Sequence, residues 1–282
     1  MNAVAQANNK QIEICKILNS EAGEKRLKDF FNGDVEKSQR FKTSLINIAS
    51  NYILSQCTTN SIIRSAFALA DIGLDINQNL KQAYILKYAS DAEPVVSYKG
   101  WQVLLERGGK KSRAFCVFKC DKFHLSYNSF DGDLEFEPNY KERNEVDRKW
   151  FYENLLGVLV LIKSGNNQEN FFVSAKKIEK IKGCSPSVRK GSKSPYDEWY
   201  EEMYLAKAIK YVLSKQAFVL NDEKLSQAVE LESQVETKIQ EESEKKQKAR
   251  DFEELLAEDN EVQAMVIDEP AVVEVEDSGI SI

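Results

Sequence analysis

Residues 154–175 of the chain read NLLGVLVLIKSGNNQENFFVSA. Two apolar runs, 154–163 and 169–175, flank the turn-forming residues Ser164-Gly165-Asn166-Asn167. Glycine and asparagine adopt the positive φ values that tight hairpin turns require. The stretch therefore predicts an antiparallel β-hairpin in the middle of the chain.

The sequence that precedes this hairpin predicts more strands with a helix between them. Residues 82–90 (QAYILKYAS) and 114–120 (AFCVFKC) are rich in aromatic and β-branched residues, which is typical of strands. Residues 98–109 (YKGWQVLLERGG) predict a short helix that ends at Gly108.

Helices are predicted on the N-terminal side of these strands. Within residues 41–54, apolar side chains recur every three or four positions and mark one helix face: Phe41, Leu45, Ile48, Ala49 and Tyr52. A second helix begins after Asn60 or Ser61, either of which can cap it, and ends at Gly73 in a left-handed conformation.

Helices are also predicted after the hairpin. Ser174 can cap a short basic helix over 175–182, and Ser194-Pro195 opens a long helix that runs to about residue 216. We therefore predict an α+β fold with a helical N-terminal part, a small central antiparallel sheet, a long charged C-terminal helix and a disordered acidic tail. The predicted segments are an N-terminal arm or docking helix (1–39), a main domain (40–220), a charged helix (221–256) and the tail (257–282).

The charge of the chain is divided unevenly. Its 282 residues hold 39 Lys+Arg and 45 Asp+Glu, a net charge of −6. Residues 221–282 hold 6 Lys+Arg and 19 Asp+Glu, so residues 1–220 have a net charge of +7. A basic body with an acidic tail is compatible with nucleic-acid binding. The tail is expected to recruit a partner or to compete with DNA for the basic body.

Several classes of protein are disfavoured by what the sequence contains. No run approaches the roughly 18 apolar residues of a membrane helix, and the N-terminus lacks a secretory pattern. Five scattered cysteines predict reduced thiols and a cytoplasmic location. Neither 108–112 (GGKKS) nor 191–194 (GSKS) completes a phosphate-binding P-loop, so we expect no ATP chemistry and no cofactor.

Two basic segments with interleaved aromatic rings suggest a groove for single-stranded nucleic acid. Residues 81–122 hold nine Lys+Arg against four acids, and residues 176–215 hold ten against five. Lys110, Lys111 and Arg113 are expected to share one turn, and residues 189–193 a flexible loop. The candidate contacts are Lys87, Lys99, Trp101, Lys110, Lys111, Arg113, Arg189, Lys190, Lys193, Lys207, Lys210 and Lys215.

Two other functions stay open at this level. Glu135 and Glu137 lie on one side of an extended segment, as carboxylates that bind Mg²⁺ in a nuclease do. The helical C-terminal third is compatible with a non-catalytic interaction scaffold.

An ordered series of short blocks resembles the RecT family of phage and prophage single-strand annealing proteins. The blocks are QRFKTSLINIASN (39–51), NSIIRSAFALADIGLD (60–75), QAYILKY (82–88), SYKGWQVLLERGG (97–109), Asp121-Lys122-Phe123 and SPYDEWYEEM (194–203). Three positions depart from the family pattern: Phe136-Glu137-Pro138 replaces His-x-Pro, Lys207 is offset by one place, and Trp101 stands where Leu is commoner.

The resemblance implies the function and the partners. It implies a protein, not an enzyme, that binds single-stranded DNA and anneals complementary strands without ATP, cofactor or metal. It also implies a homo-oligomeric ring or filament that acts beside a 5′-to-3′ exonuclease and a host single-strand-binding protein. Lys99 and Lys207 match basic positions of the family most closely.

Overall fold

A computed structural model describes residues 3–127, 133–183 and 195–238, together with residues 241, 244 and 245. The chain divides into two units, Met1–Ile239 and Gln240–Ile282. The predicted tail, 257–282, lies outside the described residues. All the elements given below belong to the first unit.

Five helices make the N-terminal part. They are α1 (Ala3–Leu18), α2 (Glu21–Phe30), α3 (Val35–Ala49), α4 (Tyr52–Ser55) and α5 (Thr59–Asp71). Ile14, Leu18 and Leu27 are buried in the same core as α3 and α5. Helices α1 and α2 are therefore docked on the main domain, and the alternative of a free N-terminal arm does not fit residues 3–39.

The limits of these helices differ from the predicted ones at two places. Helix α3 ends at Ala49, because Asn51 caps α4 by accepting the Ile53 N–H at 2.8 Å, and Tyr52 is therefore exposed rather than on the buried face. Thr58, not Asn60 or Ser61, caps α5. Gly73 has a φ of +81°, which confirms the predicted left-handed end.

Within the described residues, seven strands form three antiparallel groups. Strands β1 (Ala83–Tyr88) and β2 (Asp91–Val96) form one hairpin, and β4 (Lys122–Ser126) pairs with β5 (Asp133–Glu137). Strands β3 (Lys110–Phe118), β6 (Leu155–Ser164) and β7 (Asn167–Ser174) form the central sheet in the order β3-β6-β7. The predicted hairpin is confirmed as β6–β7, with Gly165 at a φ of +58° in its turn.

Two of the remaining helices lie between strands, and the others follow β7. These helices are α6 (Tyr98–Arg107), α7 (Arg148–Asn154), α8 (Ala175–Gly183), α9 (Pro195–Glu198), α10 (Tyr200–Leu213) and α11 (residues 223–238), with 3₁₀ turns at Gln78–Leu80 and Ala217–Asn221. The predicted long helix after Pro195 is interrupted at Trp199, whose φ of −121° and ψ of 41° are not helical. The α+β class is confirmed.

The two faces of the central sheet have different neighbours. On one face, Ala114, Cys116 and Val158 are buried in the core that includes the apolar side chains of α10. On the other face, the Phe123 ring of the β4–β5 pair lies 4.9 Å from that of Phe172. A Cβ at Gly157 would come within 2.6 Å of the Phe172 ring, so this close packing requires glycine. The β4–β5 pair thus covers part of the second face.

A buried ion pair holds the turn between β3 and β4. Asp121 is fully buried and accepts hydrogen bonds from the N–H groups of Phe118 (2.8 Å) and Asn139 (2.9 Å). Arg143 adds two bonds, from Nε (2.9 Å) and Nη2 (2.7 Å). Burial alone would raise the pKa of Asp121, but Arg143 and these N–H groups hold that pKa below its usual value.

Substituting Asn for Asp121 should lower the free energy of unfolding by about 3 kcal/mol, because it leaves Arg143 buried beside a neutral side chain. The lower end of the usual range applies, since Arg143 keeps Glu145 at 2.6 Å. Urea unfolding measures the difference. Glu142→Gln, an exposed neighbour, is the control and should change stability by less than about 0.5 kcal/mol.

The effect of Asp121→Asn should depend on pH in one direction. Because the folded pKa of Asp121 is lowered, its contribution is present above the unfolded pKa of about 3.9 and is lost as the pH falls through the folded pKa. A difference between wild type and variant that persists unchanged into strong acid would contradict this assignment.

Candidate nucleic-acid interface

Three exposed cations lie together on the second face of the central sheet. Lys111 and Arg113 are two residues apart on β3, so their side chains point to the same face. In the register between β3 and β6, Lys163 lies directly opposite Lys111. We call Lys111, Arg113 and Lys163 the basic row. It occupies the end of this face beyond the phenylalanines that β4–β5 covers.

The charges of the basic row are not neutralised within the described part of the chain. There, no carboxylate lies within 4.0 Å of Lys111, Arg113 or Lys163. Like charges directly opposite on neighbouring strands destabilise a sheet, by roughly 0.2–1 kcal/mol. The arrangement therefore favours an anionic ligand that lies along the row.

Lys163 was missing from the candidates that the sequence supplied. Its relation to Lys111 depends on the register between two strands that are about fifty residues apart, and a single sequence does not give that register. The one available signal was the turn at residues 164–167, which places Lys163 at the turn end of a hairpin strand.

Lys110 lies apart from the basic row. The sequence predicts Lys110, Lys111 and Arg113 in one turn, but all three belong to β3, where successive side chains alternate between faces. Lys110 points to the opposite face, and its Nζ lies 4.7 Å from the centre of the Phe218 ring. The expected cluster of three is thus divided between two faces.

Helix α6 holds the free edge of β3. The Tyr98 hydroxyl accepts the Ala114 N–H at 3.2 Å, and Gln102 Nε2 donates to the Ser112 carbonyl at 3.2 Å. Burial is the main cause that raises the pKa of Tyr98, so its hydroxyl stays neutral. Lys99 is exposed in the first turn of α6, beside this edge.

Trp101 and Lys87 do not present the groups that sequence reasoning expected. Trp101 is completely buried, and with Leu104 and Leu105 it forms the inner face of α6. An indole without an exposed face cannot stack on a base, so Trp101 is not part of the interface. Lys87 is half-buried on β1 and donates a hydrogen bond to Gln56.

Lys207 and Lys210 are paired inside the protein. Lys207 Nζ lies 2.9 Å from Glu232 and 3.2 Å from Glu236 of α11, and Lys210 also pairs with Glu236. The side chains of the two lysines are only 15% and 8% exposed. These lysines therefore join α10 to α11 and are not free to meet phosphates, which corrects their assignment as surface contacts.

The pKa values of this cluster show how tightly its charges are coupled. Burial alone would lower the pKa of Lys207, but the carboxylates of Glu232 and Glu236 raise it above its usual value. Burial likewise opposes the charge of Glu236, yet Lys207 and Lys210 lower the pKa of that carboxyl. Lys207 and Glu236 thus each favour the charged form of the other.

The other predicted contacts are located as follows. Lys215 is exposed just after α10, with Nζ 6.0 Å from the centre of the Tyr211 ring. Arg189, Lys190 and Lys193 lie outside the described residues. The basic row, Lys99 and Lys215 are therefore the exposed cations of the candidate interface that the structure places.

Glu135 and Glu137 are exposed on β5, and both carboxylates pair with Lys122 of β4. Within the ranges that the structure describes, no group of three or more His, Cys, Asp or Glu side chains is placed to hold a metal ion. The same ranges contain no helix whose length and apolar character suit it to cross a membrane.

Comparison with known proteins supplies the family. Residues 39–249 match the model of the RecT family. The chain belongs to the RecT family. The match extends past residue 220, where the sequence analysis ended the main domain, and includes α11 with Glu232 and Glu236.

One relative within reach of sequence comparison is an uncharacterized protein, YqaK, of Bacillus subtilis strain 168. It is 26% identical over 184 residues, which is 64% of this chain and 60% of the relative. The RecT chain described here thus spans about three fifths of that protein's length.

Substituting Met for Lys207 should lower the free energy of unfolding by about 3 kcal/mol, because Glu232 loses its buried counter-charge. Adding Glu232→Gln, whose amide oxygen still accepts the Val96 N–H, should restore part of the loss. Thermal and urea unfolding measure both. Lys215→Met, on the exposed surface, is the matched control; equal effects of Lys207→Met and Lys215→Met would contradict the buried pair.

Proposed function

We propose that this RecT-family protein binds single-stranded DNA and anneals complementary strands without ATP, as the family implies for phage recombination. The observation that carries the proposal is the unneutralised basic row on the open end of the central sheet. A row of cations on a flat surface suits a phosphate backbone and reads no sequence, which is what an annealing protein requires.

The sheet gives this surface a defined geometry. Lys111 and Arg113 are two positions apart on an extended strand, so their Cα atoms are roughly 6.6 Å apart. Lys163 extends the row across to β6, and Lys99 on α6 borders the other side of β3. A strand held by its backbone at these positions keeps its bases available for a complementary strand. Base pairing then supplies both the specificity and the free energy of annealing.

The assembly and the partners are part of the same proposal. We infer a homo-oligomer, in which repeated weak phosphate contacts combine through effective concentration. We also infer that the protein works in the cytoplasm on single strands that a 5′-to-3′ exonuclease produces, beside a host single-strand-binding protein. The annealed duplex is the product. These inferences rest on family membership.

Substituting Ala for both Lys111 and Arg113 should weaken the binding of unrelated single-stranded oligonucleotides to the same extent. It should also reduce the slope of log K against log salt by about 1.4, because each phosphate contact to a single strand contributes about 0.7. Fluorescence anisotropy at several salt concentrations measures both. Lys110→Ala, on the opposite face of the same strand, is the matched control and should leave the slope unchanged.

Annealing itself is tested with two complementary oligonucleotides, one labelled with a fluorophore and the other with a quencher. The protein should accelerate quenching without ATP and in the presence of EDTA, and the acceleration should weaken at high salt. The Lys111→Ala, Arg113→Ala variant should accelerate less than wild type. Acceleration that needs ATP, or DNA degradation that EDTA abolishes, would contradict the proposal and return the nuclease alternative.

A further inference from the structure

Trp199 is a large aromatic residue on the surface of the protein. It lies at the break between α9 and α10, and its side chain is 55% exposed. Of the two other tryptophans, Trp101 is completely buried, and Trp150 is partly buried and packs on Phe118 with ring centres 5.0 Å apart. An exposed tryptophan stabilises the fold little, so its position suggests a ligand.

A cation accompanies Trp199. Lys81 Nζ lies 5.8 Å from the centre of the Trp199 ring, within the range of a cation–π contact. Lys81 is itself exposed. Lys81 and Trp199 thus form one exposed pair, which we call the aromatic platform.

The aromatic platform is connected to the basic row through α6. The Lys81 carbonyl accepts the hydroxyl of Ser97, the residue that caps α6, at 2.5 Å. The next residue, Tyr98, holds the edge of β3 at Ala114, beside Arg113. Lys99 is exposed in the same turn of α6. These hydrogen bonds link the segment that carries Lys81 to the edge strand that carries Lys111 and Arg113.

We propose that Trp199 receives an unpaired base of the bound strand and that Lys81 neutralises an adjacent phosphate. Lys81 covers part of the ring, and the rest of its exposed surface is open to a base. Nucleobases stack on exposed aromatic side chains without regard to sequence, and the neighbouring cation suits the backbone that carries them. This inference rests on the proposed function and adds to it the feature that separates single strands from duplexes.

Such a site is needed because the basic row alone does not discriminate. Phosphates are present on single and double strands alike, so cations on a flat sheet bind both. A base in a duplex is already stacked and paired, whereas an unpaired base has a free face. The aromatic platform therefore binds only a strand that has unpaired bases.

The test uses the full-length protein with two probes of equal length and equal phosphate number: oligo(dT) and an oligonucleotide whose central residues are abasic. Substituting Leu for Trp199 should weaken the binding of oligo(dT) by at least about fivefold and leave the binding of the abasic strand unchanged. Trp150→Phe is the control, and circular dichroism verifies that each variant is folded. An unchanged ratio between the two probes would overturn the proposal.

Intrinsic fluorescence assigns the effect to one side chain. Oligo(dT) should quench the tryptophan emission of wild type and of Trp150→Phe, and Trp199→Phe should lose most of that quenching. Lys81→Gln should reduce the salt slope by about 0.7 and keep the quenching. Quenching that persists in Trp199→Phe would overturn the platform.

The outcomes also separate this proposal from the proposed function. If the Lys111→Ala, Arg113→Ala variant loses DNA binding while Trp199→Leu keeps the wild-type ratio of the two probes, annealing by the basic row stands and the platform falls. If Trp199→Leu changes only the oligomer size in light scattering, Trp199 contacts a second copy and the platform also falls. If wild type binds neither probe at low salt, both proposals fall.

Discussion

The proposed DNA-binding surface depends on the antiparallel register between β3 and β6. Because side chains alternate along a strand, Lys111 and Arg113 share a face of β3, and the register places Lys163 on that same face. A shift of β3 by one residue would send Lys111 and Arg113 into the core, bring Ser112 to the surface and leave Lys163 without its two neighbours. The β6–β7 turn at Gly165 and the close packing of Phe172 on Gly157 fix the neighbouring register, between β6 and β7. The sheet thus forms despite the repulsion between the opposed side chains of Lys111 and Lys163.

The lysines of this protein fall into two groups that net charge does not distinguish. Lys207 and Lys210 form ion pairs with carboxylates of α11, and these pairs hold that helix to α10. Lys238 of α11 repeats the pattern with Asp91 and Glu93 of β2. Helix α11 therefore contributes its acidic residues to the body, and its Leu225 and Ala228 to the core. The described carboxylates of α11 do not pair with the basic row, so the cations of that row remain available to an anionic ligand.

The use of α11 also bears on the scaffold alternative. A helix that serves as an independent docking surface keeps its apolar side free for a partner. In α11 the apolar side is already packed in the core, and Glu232 accepts a hydrogen bond of 2.7 Å from the N–H of Val96 in β2. The described part of this helix is thus an integral element of the domain. Its inclusion in the family match has a structural reason.

Local patterns in the sequence were sufficient for most elements and insufficient for the site. The β6–β7 hairpin, the end of α6 at Gly108 and the end of α5 at Gly73 follow from turn chemistry within a few residues. The burial of Trp101 was also readable, since Leu104 and Leu105 stand three and four places after it on one helix face.

The partners of Lys207 and Lys163, in contrast, are distant along the chain. Glu232 is 25 residues away from Lys207, and about fifty residues separate Lys163 from Lys111. Helical and strand periodicity determine which face a lysine occupies, but not which element covers that face. Tertiary contacts therefore decide whether a given cation is a structural link or part of the interface.

Annealing places opposing demands on a DNA-binding surface, and the proposed arrangement meets them with two kinds of contact. A strand must be held firmly enough to be aligned, yet its bases must be released as they pair. Phosphate contacts along the basic row persist when the strand becomes a duplex, since pairing does not alter the backbone charge. Stacking on Trp199 is lost at that moment, because the paired base returns to the helix stack. The free energy of base pairing thus displaces the strand from the ring while the row still retains it, which gives the reaction a direction without ATP.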